Sequence, residues 1–190
     1  MQTLEYLDYS PTFGIKLRII KPTEAHRKDL GIEYTIAAGV NGPLEHYHPT
    51  LTETFEVLSG QLEIKVDGKW QGLVPGTTLA VKPFQRHTFR NKSSEPVVIM
   101  TWIEPHGGFA DFFTDLWYLV HTGQYRTQWN LKFVAQYALL EKLHTKDFLS
   151  IQPFRFALRF YAGLVSLFGF RLPHFPTPEE VQKQQAAGRG

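Results

Sequence analysis

Three histidines and one glutamate carry the chemistry this chain can do. His46 and His48 stand two residues apart, Glu53 follows five residues after His48, and His87 lies well downstream. On an extended strand, residues i and i+2 project from one face, so the first two imidazoles can meet a single ion. Glu53 opens the run Glu53-Thr54-Phe55-Glu56-Val57-Leu58, in which Glu53, Phe55 and Val57 share a face; Gly60 then closes the segment. His87 belongs to a separate strand whose same face carries Phe89 and Asn91. Three neutral imidazoles and a carboxylate form a nitrogen and oxygen donor set suited to one divalent ion: Fe, Mn, Ni, Zn or Cu. Nothing in the set favours Ca or Mg. Four protein ligands on an ion that accepts six leave room for water, dioxygen or substrate, which is what permits catalysis. The chain has no cysteine, so thiolate sites, cysteine nucleophiles and disulfides are excluded.

The elements that must position these residues read as short strands. Ile32, Tyr34 and Ile36 alternate with Glu33 and Thr35, and Leu62, Ile64 and Val66 alternate with Glu63 and Lys65. This period of two marks half-buried strands. Asp67-Gly68 is a tight-turn signal directly after the second of them. Val97 to Ile103 is a further apolar strand. Strands this short and closely spaced predict a mainly β sandwich or barrel. Beyond about Pro105 the period changes. Phe109, Phe112, Phe113, Leu116, Trp117 and Val120 form one stripe of an amphipathic helix. Further helices are expected at about 129–143 and 153–170. Residues 179–190 are polar and read as a disordered tail.

The segment Gly39 to Gly60, GVNGPLEHYHPTLTETFEVLSG, resembles the first motif of the cupin superfamily. Four residues separate His48 from Glu53, and six separate Glu53 from Gly60, as in that motif. The segment Gly76 to Asn91, GTTLAVKPFQRHTFRN, resembles the second motif. Lys82 stands where the family usually has proline and Phe84 where it usually has glycine, a departure in the turn that presents His87. The resemblance implies a single-domain cupin, a jelly-roll barrel of two antiparallel sheets over roughly residues 10 to 104. It also implies metal carried by His46, His48, Glu53 and His87. The whole chain then divides into a barrel with N-terminal strands (1–106), a C-terminal helical extension (107–176) and a tail (177–190).

The leading functional expectation is a metal-dependent, dioxygenase-like oxidoreductase acting on a small organic molecule, with Glu53 as the catalytic base. Phe55, Val57 and Phe89 would line the substrate pocket. The alternatives are a non-oxidative isomerase, cyclase or lyase, and a non-catalytic small-molecule-binding cupin. Net charge is +2 with no block of Lys and Arg, which argues against nucleic-acid binding. The N-terminus lacks the apolar core of a signal peptide, and no apolar run of about 18 residues predicts a membrane span. A cytoplasmic location is the expectation. Homodimerisation is expected too, with Leu17, Ile19 and Ile20 reading as an exposed strand open to pairing. The aromatic segment Phe154 to Phe170 is expected to cover the barrel mouth or pack across a dimer, in preference to lying in a membrane interface. Arg86 reads as an exposed loop residue, Glu56 as a carboxylate turned away from Glu53, and Asn91 as a turn stabiliser. His26, His106, His121, His144 and His174 read as surface or capping residues.

Overall fold

The computed structural model describes residues 3–20, 30–123, 125–127, 130–151, 153–169, 171–173 and 175. His26, His174 and the 177–190 tail therefore lie outside the described residues. The elements, in chain order, are β1 (Thr3–Asp8), α1 (Ser10–Phe13), β2 (Ile15–Ile20), β3 (Leu30–Ile36), β4 (His46–Tyr47), β5 (Thr52–Ser59), β6 (Leu62–Val66), β7 (Lys69–Leu73), β8 (Thr78–Val81), β9 (His87–Arg90) and β10 (Val97–Glu104). Then come α2 (Phe109–Thr122), α3 (Leu131–Leu143), β11 (Leu149–Ser150) and α4 (Phe154–Leu167).

The strands form two antiparallel sheets, ordered β1-β2-β3-β10-β5-β8 and β11-β4-β9-β6-β7. Alternation on the strands sets what faces inward. Ile32, Tyr34 and Ile36 of β3 and Leu62 and Ile64 of β6 are buried, as are Phe55 and Val57 of β5. These side chains meet between the sheets in one apolar core. The arrangement is a jelly roll followed by helices.

Two turns show how local sequence serves the site. Asp67 and Gly68 both have positive φ, 47° and 86°, joining Val66 to its partner Lys69 in a two-residue hairpin. The Asp67 carboxylate then accepts the Arg86 backbone N–H at 3.0 Å, and the Asp67 N–H donates to the Arg86 carbonyl at 2.8 Å. The hairpin therefore clamps the loop that leads into His87. Gly60 has φ 79°, and a Cβ there would lie 2.9 Å from the Pro96 carbonyl oxygen, so both conformation and space require glycine.

The helices are part of the same packing, because Phe109, Val120 and Phe133 join the core cluster of the sheets. Asn130 caps α3, its side chain accepting from the Lys132 and Phe133 N–H groups at 2.9 and 3.3 Å, a contribution of about 1 kcal/mol. The helix α4 buries Leu158 and Ala162 against α3. Its other face leaves Phe156, Phe160, Leu164, Leu167 and Phe168 exposed. Packing thus accounts for one side of the aromatic segment and not the other. Among the described residues no helix is long and apolar enough to cross a membrane.

One expectation is overturned. Leu17, Ile19 and Ile20 are buried, not exposed for pairing. The strand β2 is hydrogen-bonded on both sides, to β1 and to β3, so it offers no free edge. Apolar residues in succession reflect burial within a sheet here, and the edge position falls to β1.

Candidate metal centre

The strand β4 pairs with β9 so that His46 lies directly opposite His87. The fifth residue after His48, Glu53, sits near the start of β5 in the facing sheet, opposite Ile103 and Val81. All four side chains point between the sheets and are buried, with His87 at 0% and His48 at 1% exposure. One ligand atom from each lies within 4.8 Å of all the others.

The hydrogen bonds define which nitrogen is available. The Nδ1 of His46 meets the Leu44 carbonyl at 2.8 Å, that of His48 the Asp147 carbonyl at 2.5 Å, and that of His87 the Gln85 carbonyl at 3.1 Å. A carbonyl only accepts, so each Nδ1 carries the proton and each Nε2 keeps its lone pair. The Nε2 atoms of His48 and His87 lie 3.3 and 3.0 Å from the same Glu53 oxygen, Oε2. Two ligands bound at right angles about 2.1 Å from one ion would be about 3.0 Å apart. The donor set and its spacing therefore fit a first-row divalent ion.

Electrostatics agree with that assignment. Burial first, and then the proximity of His87 and His48, hold His46 well below its usual value, which keeps it neutral. Burial alone would raise the Glu53 carboxyl. The His48 and His87 rings beside it outweigh this and hold Glu53 well below the usual carboxylate range. A neutral imidazole beside an ionised carboxylate is the protonation state that metal binding requires.

The C-terminal extension contributes to this centre. Phe148 stacks on the His46 ring at 4.3 Å between centroids and 21° between planes. Phe109 meets the His48 ring edge-on at 5.1 Å. Ser150 of β11 pairs with His46 of β4. Asp147 connects two elements, its carbonyl taking His48 while its carboxylate accepts the Gly108 N–H at 3.1 Å, at the start of α2. These residues were missed from the sequence. Phe148 sits in an irregular turn after α3, with no periodicity to mark it, and Asp147 reaches His48 through a backbone atom that any residue would supply.

A cavity of about 340 Å³ opens directly beside the cluster, with His46, Glu53 and His87 in its wall. Phe89 lines it. Phe55 and Val57 lie in the core instead; the Phe55 ring stands 6.1 Å from that of His87. Arg86 is exposed, Glu56 is half-buried, and neither reaches the cavity. Asn91 is buried and binds the chain to itself: its Nδ2 donates to the Ile36, Ala37 and Glu95 carbonyls, and its Oδ1 accepts from Ser93. His106 and His121 are exposed. His144 occupies the C-cap of α3 but is buried, its Nε2 2.9 Å from Asp115.

A jelly roll presenting three buried imidazoles and a carboxylate from β4, β5 and β9 defines a class of metal-site barrels, and the two sequence motifs fall on those strands. Residues 32–104 match the family model described as Cupin domain, so this segment is a cupin domain, and the C-terminal helices follow it. Solved structures similar to it include KdgF from Halomonas sp., 19% identical, aligned over 53% of this chain and 86% of that one with a TM-score of 0.46. A Cupin_2 domain of an XRE family transcriptional regulator from Enterobacter cloacae is 27% identical over 48% of this chain and 96% of that one, TM-score 0.42. A sugar phosphate isomerase from a cupin superfamily, from Silicibacter pomeroyi, is 18% identical over 55% and 71%, TM-score 0.46. No curated protein matches the chain.

Proposed function

We propose that this protein is a metal-dependent enzyme acting on a small organic molecule, with dioxygenase-like oxidoreductase chemistry as the leading reading. The observation that carries it is the convergence of the Nε2 lone pairs of His48 and His87 on Glu53, with every Nδ1 engaged by a carbonyl. His46, His48, Glu53 and His87 would hold one divalent ion, which supplies a Lewis-acid position and, if redox-active, activation of dioxygen. Glu53 brings negative charge into a buried site and is the one carboxylate in the cavity wall among the described residues. It can take a proton from substrate at Oε2. Phe89, Phe109 and Phe148 exclude water around it. With the ion as Lewis acid and Glu53 as base, the same residues would also serve isomerisation, cyclisation or elimination, so dependence on dioxygen is what separates the two readings.

The test is metal analysis of protein purified without added metal. Wild type should retain close to one ion per chain, and His46→Ala and His87→Ala should lose most of it. Equal metal content in all three would refute the assignment. Dioxygen consumption by iron-loaded protein with candidate substrates then separates oxidative from non-oxidative chemistry. The exposed apolar face of α4 favours a second reading, a non-catalytic carrier or sensor that meets a partner through its helices. Ligand binding without conversion by metal-replete protein would support that reading.

A further inference from the structure

The cavity is built asymmetrically. On the sheet side it meets the three polar groups His46, Glu53 and His87; on the helix side it meets Leu116 of α2, Phe133 and Val134 of α3, and Leu158 of α4. Three tyrosines also line it, one of them with its hydroxyl engaged within the protein. Tyr9 donates to the Phe113 carbonyl, which leaves Tyr34 and Tyr137 as the tyrosines that could offer a hydroxyl to a ligand. Asn41, at the exposed rim, is the remaining amide side chain among the described lining residues. A sugar or a phosphate ester would bring many hydroxyls or a dianion into this space, where the described lining away from the His46, Glu53 and His87 position offers no Lys or Arg and few donors: the Tyr34 and Tyr137 hydroxyls and the Asn41 amide at the rim. Burying such groups without partners is strongly unfavourable.

We propose that the substrate class is an apolar molecule, alkyl or aromatic, with one oxygen-bearing head group. The head lies at His46, Glu53 and His87, and the body extends between the sheets and the α2–α4 helices. The volume of about 340 Å³ sits at the small end of ligand cavities, about 300–1,000 Å³, which suits a molecule with one such body. Leu44 and Leu131 line the cavity while 42% and 74% exposed, so the way in is itself apolar. The head-group half of this assignment rests on the metal reading above; the apolar half rests on the lining alone.

The experiment is calorimetric titration of metal-replete and chelator-treated wild type with n-alkyl hydroxamates, from acetohydroxamate to decanohydroxamate. Affinity should rise about fourfold per added methylene until the cavity is full. Leu116→Trp should weaken the longest chains by about tenfold or more while leaving acetohydroxamate within about twofold of wild type. Val134→Trp serves the same purpose should the first variant fail to fold. A wild-type series with no dependence on chain length overturns the proposal. Acetohydroxamate binding that ignores metal, with the length dependence intact, overturns the metal reading and leaves the apolar assignment standing.

Discussion

Phe148 offers the sharpest test of whether the helical extension and the barrel act as one unit. Its ring is 4% exposed, stacks on His46 at 4.3 Å, lies parallel to Phe112 at 5.2 Å, and stands 6.0 Å from His48. Phe148→Ala removes all three contacts. Truncating a buried Phe to Ala costs about 3–5 kcal/mol. One side of this ring already borders the cavity, so fewer contacts are lost and the low end, about 3 kcal/mol, applies. For a chain of this size each kcal/mol lowers Tm by about 2–4 °C, giving a drop of about 6–12 °C by calorimetry. The same change frees the His46 ring to rotate, and zinc affinity should fall about tenfold in competition with a chromophoric chelator. Phe148→Leu keeps most of the apolar volume and should lose only about 1.5 kcal/mol. If Phe148→Ala melts within about 2 °C of wild type and binds zinc as tightly, the extension does not support the metal ligands and the reasoning fails.

Three further outcomes are expected. Asn91→Ala strips the donor from three backbone carbonyls and should lose on the order of 3 kcal/mol in urea unfolding; an unchanged midpoint would contradict its role. Burial raises Glu141 above its ordinary value of 4.5, and the Ser150 hydrogen bonds only partly offset this. With the folded value raised, its contribution to stability is complete below pH 4.5 and is lost as pH rises through the folded value. Glu141→Gln should therefore be the more stable protein at neutral pH, with the gap closing on acidification; parallel pH profiles would disprove this. Phe84 holds φ 66° while 68% exposed, so Phe84→Gly relieves left-handed strain and should stabilise by about 0.5–1 kcal/mol. A loss of stability there would mean that the Phe84 contact with Tyr47, 6.1 Å between rings, outweighs the strain.

Local sequence determined much of this protein. Alternation with a period of two is a direct consequence of strand geometry, so β3 and β6 could be read residue by residue, β10 as an apolar run, and the hairpin at Asp67-Gly68 from its turn residues. The helical stripe from Phe109 to Val120 was equally legible, because 3.6 residues per turn puts those side chains on one face. Spacing also paired His46 with His48, since the pleat brings i and i+2 together, and the resemblance to the two cupin motifs added Glu53 and His87. What periodicity cannot say is which surface a buried face meets. The stripe of α2 reads as packing against a sheet, yet Phe109, Phe112, Phe113 and Leu116 also wall the cavity. Leu17 and Ile19 look like a free strand until β1 is seen to pair with them. The support of His48 by Asp147 spans 99 positions and runs through a backbone carbonyl, which has no side-chain signature. Contacts between distant segments are set by how all the elements pack at once. Identity of the candidate ligands was therefore a property of the sequence, and the enclosure around them a property of the fold.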